Sequence, residues 1–303
     1  MSAITSDTLV VGSAILDPAT NPIDNPFIES GYASIAFMFT STALVFIMAP
    51  GVGFLYSGMV RKKHSLSILM ICMLCVAIVT LQWFIWGFSL AFAETGSSFL
   101  GTLAHGGLTG VGMQPLANTA PGIPSVMFCL YQLQFATLTA ALVFGSVPER
   151  IRLLPSALFV FIWTTIVYDP VAYWTWGYRG WVRNISCVGT ISTTPCGIGS
   201  YDFAGGGPVH VASGFSGLAF CLIVGKRSTV HKIPKYLKPH NMGYVFLGTA
   251  LLWFGWFGFN GGSALSASPR AIMAALVTTI ATCSSAVTWC VVDYIRYRRI
   301  SGL

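Results

Sequence analysis

Seven long apolar runs decide the solvent of this chain before anything else about it is known. They cover roughly residues 33–58, 66–93, 124–146, 152–178, 203–225, 242–265 and 271–295. About 20 such residues, wound as a helix at 1.5 Å each, cross the hydrocarbon of a bilayer. A soluble helix of that length turns a polar face to water, and these runs carry none. Charged residues are 8% of the 303, where an ordinary soluble domain has about a quarter. The expected fold class is therefore an all-α polytopic membrane protein, with the lipid bilayer as its surroundings.

The basic residues set the orientation. One group of short loops holds Arg61, Lys62, Lys63, Arg150, Arg152, Lys226, Arg227, Lys232, Lys235, Lys238, Arg296, Arg298 and Arg299. The other loops hold only Arg179, Arg183 and Arg270. Positive charge collects in the cytoplasm, so the N-terminus is expected outside and the end of this chain inside. Residues 1–32 contain no Lys or Arg, which leaves them without the basic start of a cleaved signal peptide. They read as a polar extracellular tail, and 33–303 as the transmembrane domain. Asn184-Ile-Ser186 then makes Asn184 a glycosylation candidate in an external loop. Cys187 and Cys196 lie in the same loop, where an oxidising compartment permits a disulfide.

Several classes fall away. The net charge of +7 sits in loops and forms no basic stripe, so no nucleic-acid partner is expected. Cys72 and Cys75 lie inside an apolar run with no companion ligands, so no metal site is expected. No nucleophile–base pair stands out, hence no catalytic residues, no enzyme and no cofactor.

What remains converges below one external mouth. Tyr131 and Phe135, four apart, share a face in the outer half of the third run. Trp174 and Trp176 end the fourth run, while Phe259 lies about 6 Å deeper than Ser263 in the sixth. Asp202 opens the fifth run, with His210 about 12 Å further in. Aromatic faces attract a cation, a serine hydroxyl accepts from an ammonium N–H, and apolar burial beneath forbids the charge. Each residue also has a plainer reading: tryptophans as interface anchors, phenylalanines as core, Ser263 as a packing position, Asp202 as a helix N-cap. His210 is different, because an imidazole deep in a span marks a conduction or proton-transfer path.

Five ordered segments carry a resemblance. Tyr-Gln-Leu-Gln-Phe-Ala (131–136), Pro-Glu-Arg (148–150), Tyr-Asp-Phe-Ala-Gly-Gly-Gly-Pro-Val-His (201–210), Lys-Pro-His-Asn (238–241) and Gly-Trp-Phe-Gly-Phe-Asn-Gly-Gly-Ser-Ala (255–264) resemble the ammonium transporter, methylammonium permease and Rhesus family, closest to its fungal permeases. The resemblance implies an ammonium-transporter-like helical bundle in a plasma membrane, with ammonium and ammonia as cargo and a homotrimer of pores. It gives Trp176 and Ser263 the external recruitment site, supported by Asp202. It gives Phe135 and Phe259 the stacked gate, with Tyr131 at its mouth, and His210 the lining of the narrow pore. It also implies eleven helices in two inverted five-helix repeats. Spans 1 to 5 would then be one repeat and spans 6 and 7 the start of the second, with an echo between Gly53-Phe54 and Gly258-Phe259. Four helices, one bearing a second pore histidine, would follow Leu303. An ammonium sensor that binds without conducting is the alternative within the same resemblance. A seven-helix receptor shares the topology but predicts no histidine-lined path.

Overall fold

The computed structural model describes residues 9–11, 14–16, 30–185, 199–226 and 239–300; Cys187 and Cys196 lie outside them. Seven described helices are long and apolar enough to cross a membrane: Gly31–Met59, Lys62–Phe92, Ser125–Ser146, Leu153–Trp176, Gly206–Val224, Met242–Gly261 and Pro269–Tyr297, here spans 1 to 7. Each coincides with one apolar run of the sequence. Span 5 begins at Gly206 rather than near 203, because Asp202 caps it. Span 6 ends at Gly261 rather than near 265, so Ser263 lies past the helix in a turn where Leu265 has φ 53°. In the segment read as a polar tail, Leu9–Val11 pairs antiparallel with Ala14–Leu16. The Gly12-Ser13 dipeptide between those strands is of the two-residue hairpin type.

Span 3 is the axis of the bundle. Of its apolar 18-residue window 83% is buried, against 6% in span 7, which lies on the periphery. Spans 1 and 6 pack backbone to backbone. A Cβ on Gly248 would strike the backbone nitrogen of Leu55, and one on Gly255 the side chain of Met48. Only small residues allow that approach, which suits helix pairing in lipid. The Gly-Phe echo is not a structural equivalence, since Gly53 faces Leu69 and Cys72 of span 2 while Gly258 faces Leu44 and Ser41 of span 1.

The helices are interrupted where the sequence withholds a regular hydrogen bond. Pro50 has no N–H to offer the carbonyl of Phe46, and span 1 breaks into Ser30–Phe46 and Met48–Met59. Four spans contain a wider π turn: Trp83–Gly87, Thr164–Tyr168, Gly206–Val211 and Phe257–Gly261. Each holds a glycine or abuts a proline (Pro170 follows the second), and such turns collect at functional positions.

Two of the five sequence segments act as fasteners on the basic side. Glu149, 2% exposed, pairs with Arg61: Nε donates to Oε2 at 2.9 Å, Nη2 approaches Oε2 at 2.6 Å and the Arg61 amide donates to Oε1 at 3.0 Å. That contact holds the guanidinium above its ordinary pKa. Arg150 donates to the carbonyls of Ser146 and Gly225. His240 Nδ1 meets the Val60 carbonyl at 2.9 Å, and Asn241 Oδ1 caps span 6 by accepting from Tyr244 N at 3.1 Å. Together these contacts tie the ends of spans 1, 3, 5 and 6.

A carboxylate also lies fully buried inside span 4. Asp169 Oδ2 accepts from Gln82 Nε2 of span 2 at 2.6 Å. Gln82 Nε2 reaches Thr165 Oγ1 at 3.1 Å, and Trp86 Nε1 donates to the same hydroxyl at 3.0 Å. This polar stitch joins spans 2 and 4 within an otherwise apolar contact.

Candidate functional site: an aromatic-floored vestibule

On the side opposite the basic loops, spans 3, 4, 5 and 6 enclose a cavity of about 250 Å³. Trp176, Phe135, Ser263 and Asp202 all line it, as the sequence led one to expect, and Gln132 and Phe128 join them. Its floor is a pair of stacked phenylalanines. The rings of Phe135 and Phe259 have centroids 4.3 Å apart and planes 27° apart, and both residues are 1% exposed. Trp176 stands edge-on to Phe135 at 6.0 Å. Its Nε1 donates to the Asp202 carbonyl at 3.3 Å, so the indole is fixed by the start of span 5.

Ser263 has its hydroxyl hydrogen on the Phe259 carbonyl, 2.7 Å away. Its oxygen lone pairs are therefore left to accept from whatever enters the cavity. Gln132 supplies another acceptor. It is 7% exposed, and its Oε1 has no partner among the described residues. Sequence reasoning missed it, although it stands inside the Tyr-Gln-Leu-Gln segment.

Tyr131 is placed differently from the expectation of a gate mouth. It is fully buried and packs at 4.9 Å against Phe135. Its hydroxyl donates to the carbonyls of Gly258 at 2.9 Å and Phe259 at 3.0 Å. The π turn of span 6 withdraws those carbonyls from regular helical pairing, and a phenol is long enough to reach them. Gly262 makes room, since a Cβ there would lie 2.6 Å from the Tyr131 oxygen.

Asp202 takes the N-cap geometry. Oδ1 accepts from Gly205 N at 2.6 Å and Oδ2 from Gly207 N at 2.5 Å, satisfying amides that a helix start leaves unpaired. Both carboxylate oxygens are engaged there, and the residue still borders the cavity. Asn184 is equally committed, for its Nδ2 donates to the carbonyls of Tyr178 at 3.0 Å and Gly180 at 2.9 Å. Trp174 belongs to a cluster with Phe99 and Trp181, with its Nε1 on the Phe99 carbonyl at 2.7 Å, which is the interface-anchor arrangement.

His210 lies in the π turn of span 5, below the phenylalanine floor. Its ring is 6.0 Å from Phe259 and stacks on Trp256. The other side is not enclosed by any described helix. There the imidazole borders an open apolar recess of about 210 Å³ with Val211, Gly214, Phe215 and Leu218. Within the described residues, His210 thus forms one wall of a path rather than a closed lumen.

Membrane-length helices that set a polar, aromatic-walled vestibule over an apolar plug define a transporter-type polytopic membrane protein. More particularly, the chain belongs to the Ammonium Transporter Family, whose profile matches residues 36–303. It is 46% identical over 277 residues to ammonium transporter 1 of Schizosaccharomyces pombe, covering 91% of this chain and 52% of that protein. Against ammonium transporter MEP2 of Saccharomyces cerevisiae the identity is 43% over 272 residues, covering 88% and 51%. The crystal structure of Candida albicans Mep2 superposes with a TM-score of 0.80 at 43% identity, covering 92% of this chain and 58% of that one. The chain spans about half the length of these curated relatives.

Proposed function

We propose that this chain forms the capture site and the first pore wall of a plasma-membrane ammonium transporter. Its N-terminus is outside, its vestibule faces the exterior, and it works as one protomer of a homotrimer. One observation carries the reading: a cavity with a π-rich wall and hydroxyl and amide acceptors lies directly above a stacked phenyl pair, with an imidazole beneath it. Ammonium is drawn in by the Trp176 face and accepted by Ser263 and Gln132. Asp202 supports the site by fixing the glycine-rich start of span 5 and, through its carbonyl, the indole. At the Phe135–Phe259 floor there is no room for a hydration shell and no fixed counter-charge, so the ion is expensive to pass and neutral ammonia is not. The proton is left behind and travels separately, with His210 as its first acceptor on the far side. Potassium enters the same vestibule but has no proton to shed, so it is refused.

The test is uptake of radiolabelled methylammonium by cells lacking their own ammonium transporters, together with methylammonium binding by the purified chain in lipid nanodiscs. The expected result is saturable binding and uptake, competed by ammonium and indifferent to potassium. A correctly inserted protein that neither binds nor moves methylammonium sinks the proposal.

A further inference from the structure

The vestibule read above as a cation trap is itself lined by a cation. Arg183 borders the cavity beside Trp176 and Asp202. Its Nη1 donates to the Trp176 carbonyl at 2.6 Å and its Nη2 to the Asn118 carbonyl at 3.2 Å. Asn118 is held in turn by Glu94, whose Oε1 accepts from the Asn118 amide at 2.7 Å and whose Oε2 accepts from Nδ2 at 3.0 Å. The Arg183 amide donates to the Trp174 carbonyl at 2.9 Å. Three stretches distant in sequence therefore meet at the last turn of span 4: the loop after span 2, the loop before span 3 and the loop after span 4.

Two effects compete at such a residue. A fixed positive charge repels an arriving ammonium, while a rigid anchor keeps the tryptophan face turned toward it. Burial lowers the Arg183 pKa from its ordinary value and Glu94 counters that, so the guanidinium stays charged near neutrality. That charge is offset nearby, because two carbonyl dipoles receive its hydrogens and the Glu94 carboxylate lies one residue beyond. The anchor has no substitute of its kind. Trp176 sits at the C-terminal end of a helix, where carbonyls lack intrahelical partners, and Arg183 takes its carbonyl while Asp202 takes its indole N–H.

We propose that Arg183 is a positioning residue for cation capture, fixing Trp176 against the vestibule through its carbonyl with Glu94 and Asn118 as a brace. The inference rests on the proposed reading of Trp176 as the capture wall. Because the vestibule is built from residues of this chain, binding tests it without translocation.

The experiment titrates methylammonium into the whole chain in nanodiscs and follows tryptophan fluorescence for the wild type, Trp176→Leu, Arg183→Gln, Arg183→Lys and Glu94→Gln. Trp176→Leu is expected to abolish the saturable signal. Arg183→Gln is expected to raise the half-saturating concentration at least about fivefold, the loss of one hydrogen bond from a charged donor. Arg183→Lys, which keeps the charge but cannot fork to two carbonyls, is expected to fall between that and the wild type. Glu94→Gln, which does not line the cavity, is expected to weaken capture at least about twofold by loosening the brace. Wild-type amplitude at saturation shows that a variant is folded, and Glu94→Gln decides the matter should both Arg183 variants fail that check. Capture by Arg183→Gln or Glu94→Gln as tight as the wild type, or tighter, overturns the positioning role and leaves repulsion as the dominant effect. A wild type that gives no titration at all overturns the vestibule reading itself, and this inference with it.

Discussion

The imidazole of His210 and the indole of Trp256 lie within 6° of parallel, their centroids 5.7 Å apart. A flat stack of this kind holds the imidazole by one face and leaves its ring edge, where both nitrogens sit, free to exchange protons. Phe259 closes the triangle, 5.4 Å from Trp256 and 6.0 Å from His210. Gate and proton acceptor are consequently neighbours on adjoining π turns, one in span 5 and one in span 6.

Replacing His210 by Ala is expected to cut methylammonium uptake or uncouple it from proton movement, with a change of at least about tenfold in rate or charge ratio. Uptake measured alongside membrane current, with surface expression confirmed, checks this. Normal values for both would remove His210 from the mechanism.

Trp176→Ala deletes the cation-facing wall without touching the phenyl floor. A loss of about 0.5–2 kcal/mol of cation–π attraction raises the half-saturating substrate concentration roughly two- to thirtyfold. The maximal rate at saturation is expected to stay near that of the wild type. Initial uptake rates over a wide concentration range separate the two parameters.

The Tyr131 hydroxyl is the main external tie on the span 6 carbonyls. Tyr131→Phe is expected to cost about 1–3 kcal/mol, somewhat relieved because Ser263 still serves Phe259. Gly262→Ala pushes a methyl group into the same oxygen and is expected to cost about 1–3 kcal/mol by overpacking. Thermal unfolding in detergent measures both. If Tyr131→Phe melts like the wild type, the hydroxyl contacts carry no weight.

Asp169 and Gln82 form a contact inside the bilayer-length helices. Single replacement by Leu at either position is expected to destabilise by about 1–3 kcal/mol, since each strands the other's polar atom. A double-mutant cycle is expected to show coupling of about 0.5–3 kcal/mol. Additive losses would mean that the two side chains act independently.

Asn184 uses both amide hydrogens on backbone carbonyls, and a glycan would replace one of them. Glycosidase treatment of the expressed protein is therefore expected to leave its electrophoretic mobility unchanged. A clear downward shift that is lost in Asn184→Gln would show that the loop opens far enough to be modified.

The spans were legible because lipid imposes a crude, long-wavelength rule on sequence, and the vestibule residues were legible because they lie within a few turns of helix ends. Less visible was what each segment does. Pro-Glu-Arg and Lys-Pro-His-Asn prove to be fasteners on the basic side, with Glu149 reaching Arg61 across 88 residues of chain. Asp169 escaped notice because one carboxylate scarcely alters an apolar window and its partner lies 87 residues away. Asp202 could be read as a cap from its place before three glycines, yet nothing local announced that its carbonyl would hold an indole. Tyr131 was misjudged for a similar reason, since its depth depends on a π turn in another span.

The wide turn at Phe257–Gly261 accommodates one residue more than a regular helix would. Deleting any single residue within it would leave composition and hydropathy almost unaltered. The remaining segment would nevertheless revert to ordinary winding, swinging everything downstream by about 100° around the axis. Ser263 would then turn away from the cavity, and a transporter indistinguishable by hydropathy would have lost a donor-seeking oxygen at its entrance. Frame-preserving loss of one codon here is thus more damaging than most replacements of the residue it encodes.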